Sequence, residues 1–334
     1  MTNLKMTASE IGILWSQYIQ NSMSMQITRY FVEIVEDEEI KNVLDQTLSY
    51  IEKVKLEIER LFNEEQIPIP AGFSESDVNL TAPKLYTDPF MLSFIEMFSK
   101  SGTLAYSVSL GGCTRKDIRS FLTNTVHDLT KLFNMTVEIG LLKGSYTSPP
   151  TITPPSEVEY VNGKSYFTNG LNPFNKRTLN SVEIFHLFEN LKANILGSQF
   201  CTSFAQTTDN KQIQSFFTDG KNIGTKHVKV FSDKLIQSEI QPPTSHDHGI
   251  TESTTRVFSD KLMMFLKSVL TSTSQGNYST ASTASMRYDL VADYQRLAIE
   301  VALYAKDGLD IMLKNHWLEE PPQATNRKEL LNKK

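Results

Sequence analysis

Histidines and carboxylates carry the chemistry this sequence could do, and they meet in two places. The stretch SVEIFH, residues 181–186, sets Glu183 three residues before His186. That is the step by which one helix supplies half of a carboxylate-bridged di-iron site. Such sites use the step twice, at mid-helix, with a further glutamate from each of the other two helices. Here it occurs once, at the head of an apolar run. Glu183 follows Asn180 by three positions, as Glu10 follows Thr7. Both fit a capping box, in which the carboxylate returns to the amide that opens the helix. Capping is the preferred reading, with His186 a half-exposed helix residue.

The second place is His227 with Glu300. His227 falls where helical periodicity demands an apolar residue, and Glu300 flanks the apolar face of Leu297, Val301, Tyr304 and Ile311, in register with Asp293 and Asp307. A histidine and carboxylates from different helices could hold one divalent ion, iron, manganese or zinc. The preferred alternative needs no cofactor: buried polar groups are normally paired, and only one histidine is available. Asn21 and Asn194 also fall on core faces, where an unpaired amide is costly. Tyr106 and Tyr278 are their candidate partners, and Asp128 matches Glu300. The expectation is a buried polar network of Asn21, Asn194, Tyr106, Tyr278 and Asp128, with His227 paired to an acid.

Weaker signals read as structure. SHDHG, ending at Gly249, lies in a polar connection; the small-residue run 272–285 lacks the lysine and strand of a phosphate loop; Arg115 with Asp117 and Arg287 with Asp289 suit helix starts, where an arginine clamps a neighbouring acid. No Ser-His-Asp or Cys-His arrangement stands at a meaningful spacing.

The elements that must position these residues are helices. The 13 prolines cluster and leave long proline-free tracts, and an interior proline breaks a helix. One constant offset lays Thr7–Leu14 on Asn180–Leu187, with Glu10/Glu183, Ile11/Ile184 and Leu14/Leu187 identical. The same offset pairs Asn21 with Asn194. After a one-residue change it pairs Tyr106 with Tyr278, Arg115 with Arg287, and Pro149–Pro150 with Pro321–Pro322. The chain is a duplication of a domain-sized unit. Apolar spacing places helices at 8–34, 38–66, 89–110 and 115–143, then at 181–207, 211–239, 261–283 and 287–315, with Asp88 and Asp260 as N-caps. The first two helices of each copy are joined by a few polar residues. The second and third are separated by a Pro- and Ser-rich stretch that, at about 3.3 Å per residue, can run the length of a helix.

The expected fold is all-α: two tandem ferritin-like four-helix bundles, each with a long crossover between its second and third helices. The bundles occupy 1–147 and 179–320, flanking a Pro-rich linker at 148–178 and followed by a tail at 321–334. The linker's Tyr160, Tyr166, Phe167 and Phe174 suggest that it packs over the bundles. A net charge of -5 gives no basic face for nucleic acid. Two cysteines without CxxC spacing argue against a disulfide framework and fit a reducing cytoplasm. No run is apolar enough for a leader or a membrane span.

In DKLMMF (260–265), GNYSTASTASMRYDL (276–290), GLDIMLKNHWLEEPPQ (308–323) and GKNIGTKHVKVFSDKLI (220–236) the chain resembles the family catalogued as domain of unknown function 3231, found in spore-forming bacteria. The resemblance covers nearly the whole chain. It implies duplicated, ferritin-like helical bundles of the spore-coat kind, cytoplasmic or spore-associated, with no established activity. The paired Glu-x-x-His ligands of ferritins are missing. The leading expectation is a non-catalytic structural or interaction protein, linked to sporulation or stress, acting through self-association or an unidentified protein partner. Its rivals are a metalloprotein with one degenerate site at His227 and Glu300, and a small-ligand carrier using space near Tyr278.

Overall fold

A computed structural model describes residues 4–171, 176–243 and 249–332. His246, His248 and Phe174, singled out above, lie outside the described residues. The first copy folds as α1 (Ala8–Ile34), α2 (Glu38–Glu64), α3 (Asp88–Leu110) and α4 (Lys116–Leu142). A short α5 (Ser165–Thr168) follows in the linker. The second copy repeats the pattern as α6 (Ser181–Thr207), α7 (Lys211–Ile236), α8 (Asp260–Ala284) and α9 (Tyr288–Lys314), before a terminal α10 (Arg327–Asn332). Among the described residues no strand forms; one antiparallel bridge joins Tyr86 to Ile250.

Side-chain caps set the helix starts. Thr7 and Asn180 open α1 and α6 with complete capping boxes to Glu10 and Glu183. Asp37 and Asn210 open α2 and α7, each accepting two backbone amides. At α3 and α8 the cap lies one residue earlier than the sequence suggests. Ser259 Oγ accepts the Leu262 amide at 3.1 Å, and Thr87 Oγ1 accepts that of Phe90 at 3.4 Å. A cap needs extended backbone, which Ser259 has, with φ -63 and ψ 150. Asp88 and Asp260 are therefore already helical, and they bond instead to Lys84 and to Thr208.

Hydrogen bonds between helix ends fix the topology. Glu10, at the start of α1, accepts the Thr114 and Arg115 amides that lead into α4, and Arg115 also pairs with Glu65, just past the end of α2. The start of α1, the ends of α2 and α3 and the start of α4 thus lie together. Helices α2 and α3 run parallel, so residues 65–87 must travel the length of the bundle. Glu183 with Arg287, and Lys234 with Asp289, impose the same order on α6–α9.

Contacts divide the chain into two compact units: 1–80, 95–139 and 317–334 in the first, and 81–94 with 140–316 in the second. Relative to the repeat, 81–94 and 140–147 pass to the second unit and 317–334 to the first. The first unit has a core of Leu14, Ile51, Val54, Ile58, Leu61, Ile118, Leu122 and Leu129, drawn from α1, α2 and α4. In the second unit Leu187, Leu191, Phe231, Leu235, Leu290 and Leu297 play the same part. Also in that unit Tyr86 stacks on Phe90 at 4.5 Å, and Phe200 meets Phe90 edge-on at 4.9 Å. Gly224 allows α7 close to α6, since a Cβ there would stand 2.2 Å from Ser198 Oγ. Part of the linker packs as expected. Arg177 lies 4.0 Å over the Tyr166 ring, and Phe167 meets Tyr288. Tyr160, at 91% exposed, does not, because it lies in a stretch with no regular structure to hold it.

Candidate functional site

The asparagine–tyrosine pairs come together in both copies. Asn21 Nδ2 donates to Tyr106 Oη at 2.9 Å and to the Gln17 carbonyl one turn back. Asn194 Nδ2 donates to Tyr278 Oη at 2.8 Å and to the Asn190 carbonyl. Asn21 is buried, while Asn194 is half-buried. Each amide cross-links the first and third helices of its copy and removes the cost of a buried donor.

The second copy extends the pair into a chain. Tyr278 Oη lies 2.8 Å from His227 Nδ1, and His227 Nε2 lies 3.2 Å from Glu300 Oε2. The Glu300 carboxylate can only accept, so the neutral imidazole carries its hydrogen on Nε2 and donates it there, and the bare Nδ1 accepts from the Tyr278 hydroxyl, which itself accepts from Asn194. Burial disfavours the charged imidazole and outweighs the pull of Glu300, so the His227 pKa lies below its ordinary value. Burial also opposes ionisation of Glu300, but hydrogen bonds from Lys226 and His227 together prevail and lower its pKa. Lys226 Nζ reaches both Glu300 oxygens at 2.8 and 2.9 Å. Burial, ahead of every other influence, drives the Tyr278 hydroxyl well above the usual phenol range.

The first copy lacks this chain because Val54 stands where His227 does. Tyr50, one turn earlier on α2, brings its hydroxyl toward Tyr106 instead, short of good hydrogen-bond geometry. Asp128 stands outside the buried cluster. Its side chain is 34% exposed and meets Lys53 at 3.2 Å. Val54 gives it no imidazole to hold it inward, and it keeps only the lysine half of the Lys226–Glu300 arrangement.

A second repeated constellation sits at the bundle ends. Glu10, fully buried, accepts from Thr7 N, Thr114 N and Arg115 N, each at 2.8 Å. Burial is the largest influence on it and would raise its pKa, but the backbone donors together overcome this and lower it. Glu183 repeats the arrangement with Asn180, Met286 and Arg287, and adds a two-pronged pair with Arg177 at 2.7 and 2.8 Å. Arg115 grips Asp117 through Nε and Nη2, and Arg287 grips Asp289 in the same way. Burial works against the Asp289 anion, yet Arg287 and Lys234 bring its pKa down to about 2. The capping half of this site follows from the sequence. The reach of each glutamate to the next helix pair does not, although the matched Glu10/Glu183 and Arg115/Arg287 were its signal. Arg177 has no counterpart in the first copy and left none.

Chemically, the His227 chain is closed. Both ring nitrogens have partners, and among the described residues no three His, Cys, Asp or Glu side chains converge as a metal would need. The Tyr278 ring is surrounded by the rings of His227, Phe231 and Tyr294, at 5.7, 5.6 and 6.0 Å. Among the described residues no helix is long and apolar enough to cross a membrane.

The sequence profile described as "Protein of unknown function (DUF3231)" matches residues 1–158 and again 168–330. No functionally curated protein matches the chain. Among solved structures, a Bacillus halodurans C-125 protein assigned to the spore coat, BH2358, is similar at 18% identity. The alignment covers 46% of this chain and 98% of that one, with a TM-score of 0.42.

Proposed function

Since the chain belongs to the DUF3231 family of proteins of unknown function, carrying the family's domain twice, we propose that it is a non-catalytic structural or interaction protein. Its two bundles, with parallel second and third helices, are of the ferritin-like kind but hold no metal. The place of work is the cytoplasm, with spore association as the resemblance implies, and the partner is a protein, another copy included.

One observation carries this reading: the groups best suited to chemistry are spent on one another. His227 uses both ring nitrogens on Tyr278 and Glu300, and Glu300 is further held by Lys226. A metal would have to displace Tyr278 or the Nε2 proton and would find one carboxylate, where divalent sites normally draw three or more protein ligands. The rings around Tyr278 likewise support leaving the carrier reading aside.

Metal analysis of protein purified without chelator tests the reading, together with thermal unfolding of His227→Ala. The expected result is no metal above background and a variant destabilised by about 2–4 kcal/mol through a cavity and two unpaired partners. About one ion per chain, lost in His227→Ala, would overturn it.

A further inference from the structure

The first and third helices of each copy form an outer face, and the duplication has shaped the two faces in opposite senses. In the first unit, α1 and α3 border an open groove of about 530 Å³ whose α1 side carries the small residues Ala8, Ser9, Gly12 and Ser16 beside the larger Ile13 and Gln17. A Cβ added to Gly12 would meet no atom within 4 Å. On the α3 side Leu104 and Val108 project, 63% and 71% exposed. The repeat offsets place Val182 and Phe185 of α6 at the positions of Ser9 and Gly12. They place Gly276 and Thr280 of α8 at the positions of Leu104 and Val108. Val182 and Phe185 are 48% and 54% exposed, and a Cβ on Gly276 meets nothing within 4 Å. At Ser9 and Gly12, where α1 is small, α6 carries Val182 and Phe185, and at Leu104, where α3 projects, α8 carries Gly276.

Each face holds two large apolar side chains one turn apart in water, and clustered exposed apolar groups mark interaction sites. We propose that the α1/α3 face of one chain docks on the α6/α8 face of a second copy. Phe185 and Val182 enter the Gly12 groove, and Leu104 and Val108 settle over Gly276. The occupant is a second copy because the surface that complements each face, large against small on both helices, is written in the same chain. The contact is heterologous: each chain offers one face of each kind and can be joined at both. This rests on the interaction-protein reading and names its partner. Metal content, which decides that reading, is independent of the outcome here.

Sedimentation velocity of the full chain, up to about 100 μM, is the test. Reversible association is expected, weakened about 100-fold or more by Phe185→Glu and by Leu104→Glu, as for buried apolar anchors at interface centres. Both residues are exposed, so the variants should keep the parent's circular dichroism and melting temperature. Leu303→Glu, at a 62% exposed position on α9, should leave association unchanged. Gly12→Cys chains mixed with Phe185→Cys chains should form a disulfide-linked dimer under mild oxidation. A chain that stays monomeric throughout, association indifferent to Phe185→Glu and Leu104→Glu, or a link that forms only within a single doubly substituted chain would each overturn the proposal.

Discussion

Replacing Glu10 by Gln removes one charge, keeps the shape and unfastens two helix starts. The carboxylate presents Oε2 to Thr7 N at 2.8 Å and Thr7 Oγ1 at 3.0 Å, and Oε1 to the Thr114 and Arg115 amides, each at 2.8 Å. A glutamine amide has one oxygen. If that oxygen keeps the α4 amides, its NH2 group confronts Thr7 N, donor against donor; turned the other way, it abandons Thr114 and Arg115. Leaving one buried donor unpaired costs about 1–3 kcal/mol, and the remaining bonds lose their charge assistance. The total is about 3 kcal/mol. Both tryptophans, Trp15 and Trp317, belong to the first compact unit, so urea unfolding followed by tryptophan fluorescence reads the unit that contains the substitution. The pH dependence has a definite sign. The folded pKa of Glu10 is depressed, so its stabilisation is fully present above the unfolded value of about 4.3 and lost as pH falls through the lower folded value. The gap between parent and variant should be widest near neutrality and close in acid. A gap below about 1 kcal/mol at pH 7, or one that stays constant down to about pH 2.5, would refute the assignment of Glu10 as a buried anion held by amides.

Two further outcomes follow from the geometry. A double-mutant cycle of Asn21→Ala and Tyr106→Phe, read by the same fluorescence transition, should give a coupling of about 1 kcal/mol; additivity would mean that their 2.9 Å bond contributes nothing net. Gly72→Ala should cost about 2 kcal/mol or more in chemical denaturation, because a Cβ at its φ of +58 stands 2.4 Å from Ser22 Oγ, the acceptor for Phe73 N. Gly144→Ala, at φ +66 in open space, should cost only about 1 kcal/mol, and equal costs would show that the close approach of Ser22 is unimportant.

Helix positions were legible because strong, local and repeated signals agreed: proline-free tracts, apolar periodicity and duplicated capping residues. The asparagine–tyrosine pairs were legible for a related reason, since a polar residue at a core position must find a partner and the repeat offered the same one twice. Asp128 misled because it was read from its own match with Glu300, although the same alignment lays Val54 on His227 and so removes the imidazole that draws Glu300 inward. The α3 and α8 caps turned on one residue of backbone geometry, which composition does not encode. Arg177 was hidden because its role depends on a linker folding back to the carboxylate six residues ahead, a tertiary event without periodicity. The exchange of 81–94, 140–147 and 317–334 between compact units is of the same kind: contact sets it, and a repeat alignment does not see it.

That linker arginine sets the two copies apart. The first copy meets its buried glutamate with backbone amides and its own cap residue, whereas the second copy adds a guanidinium from Arg177, where the repeat offset gives the first copy Leu4. A fragment trimmed at Leu179 would keep the three amides around Glu183 but lose the guanidinium that pairs with its charge. A version of the later half that keeps this ion pair in its seat starts ahead of Tyr166, whose ring lies under the arginine.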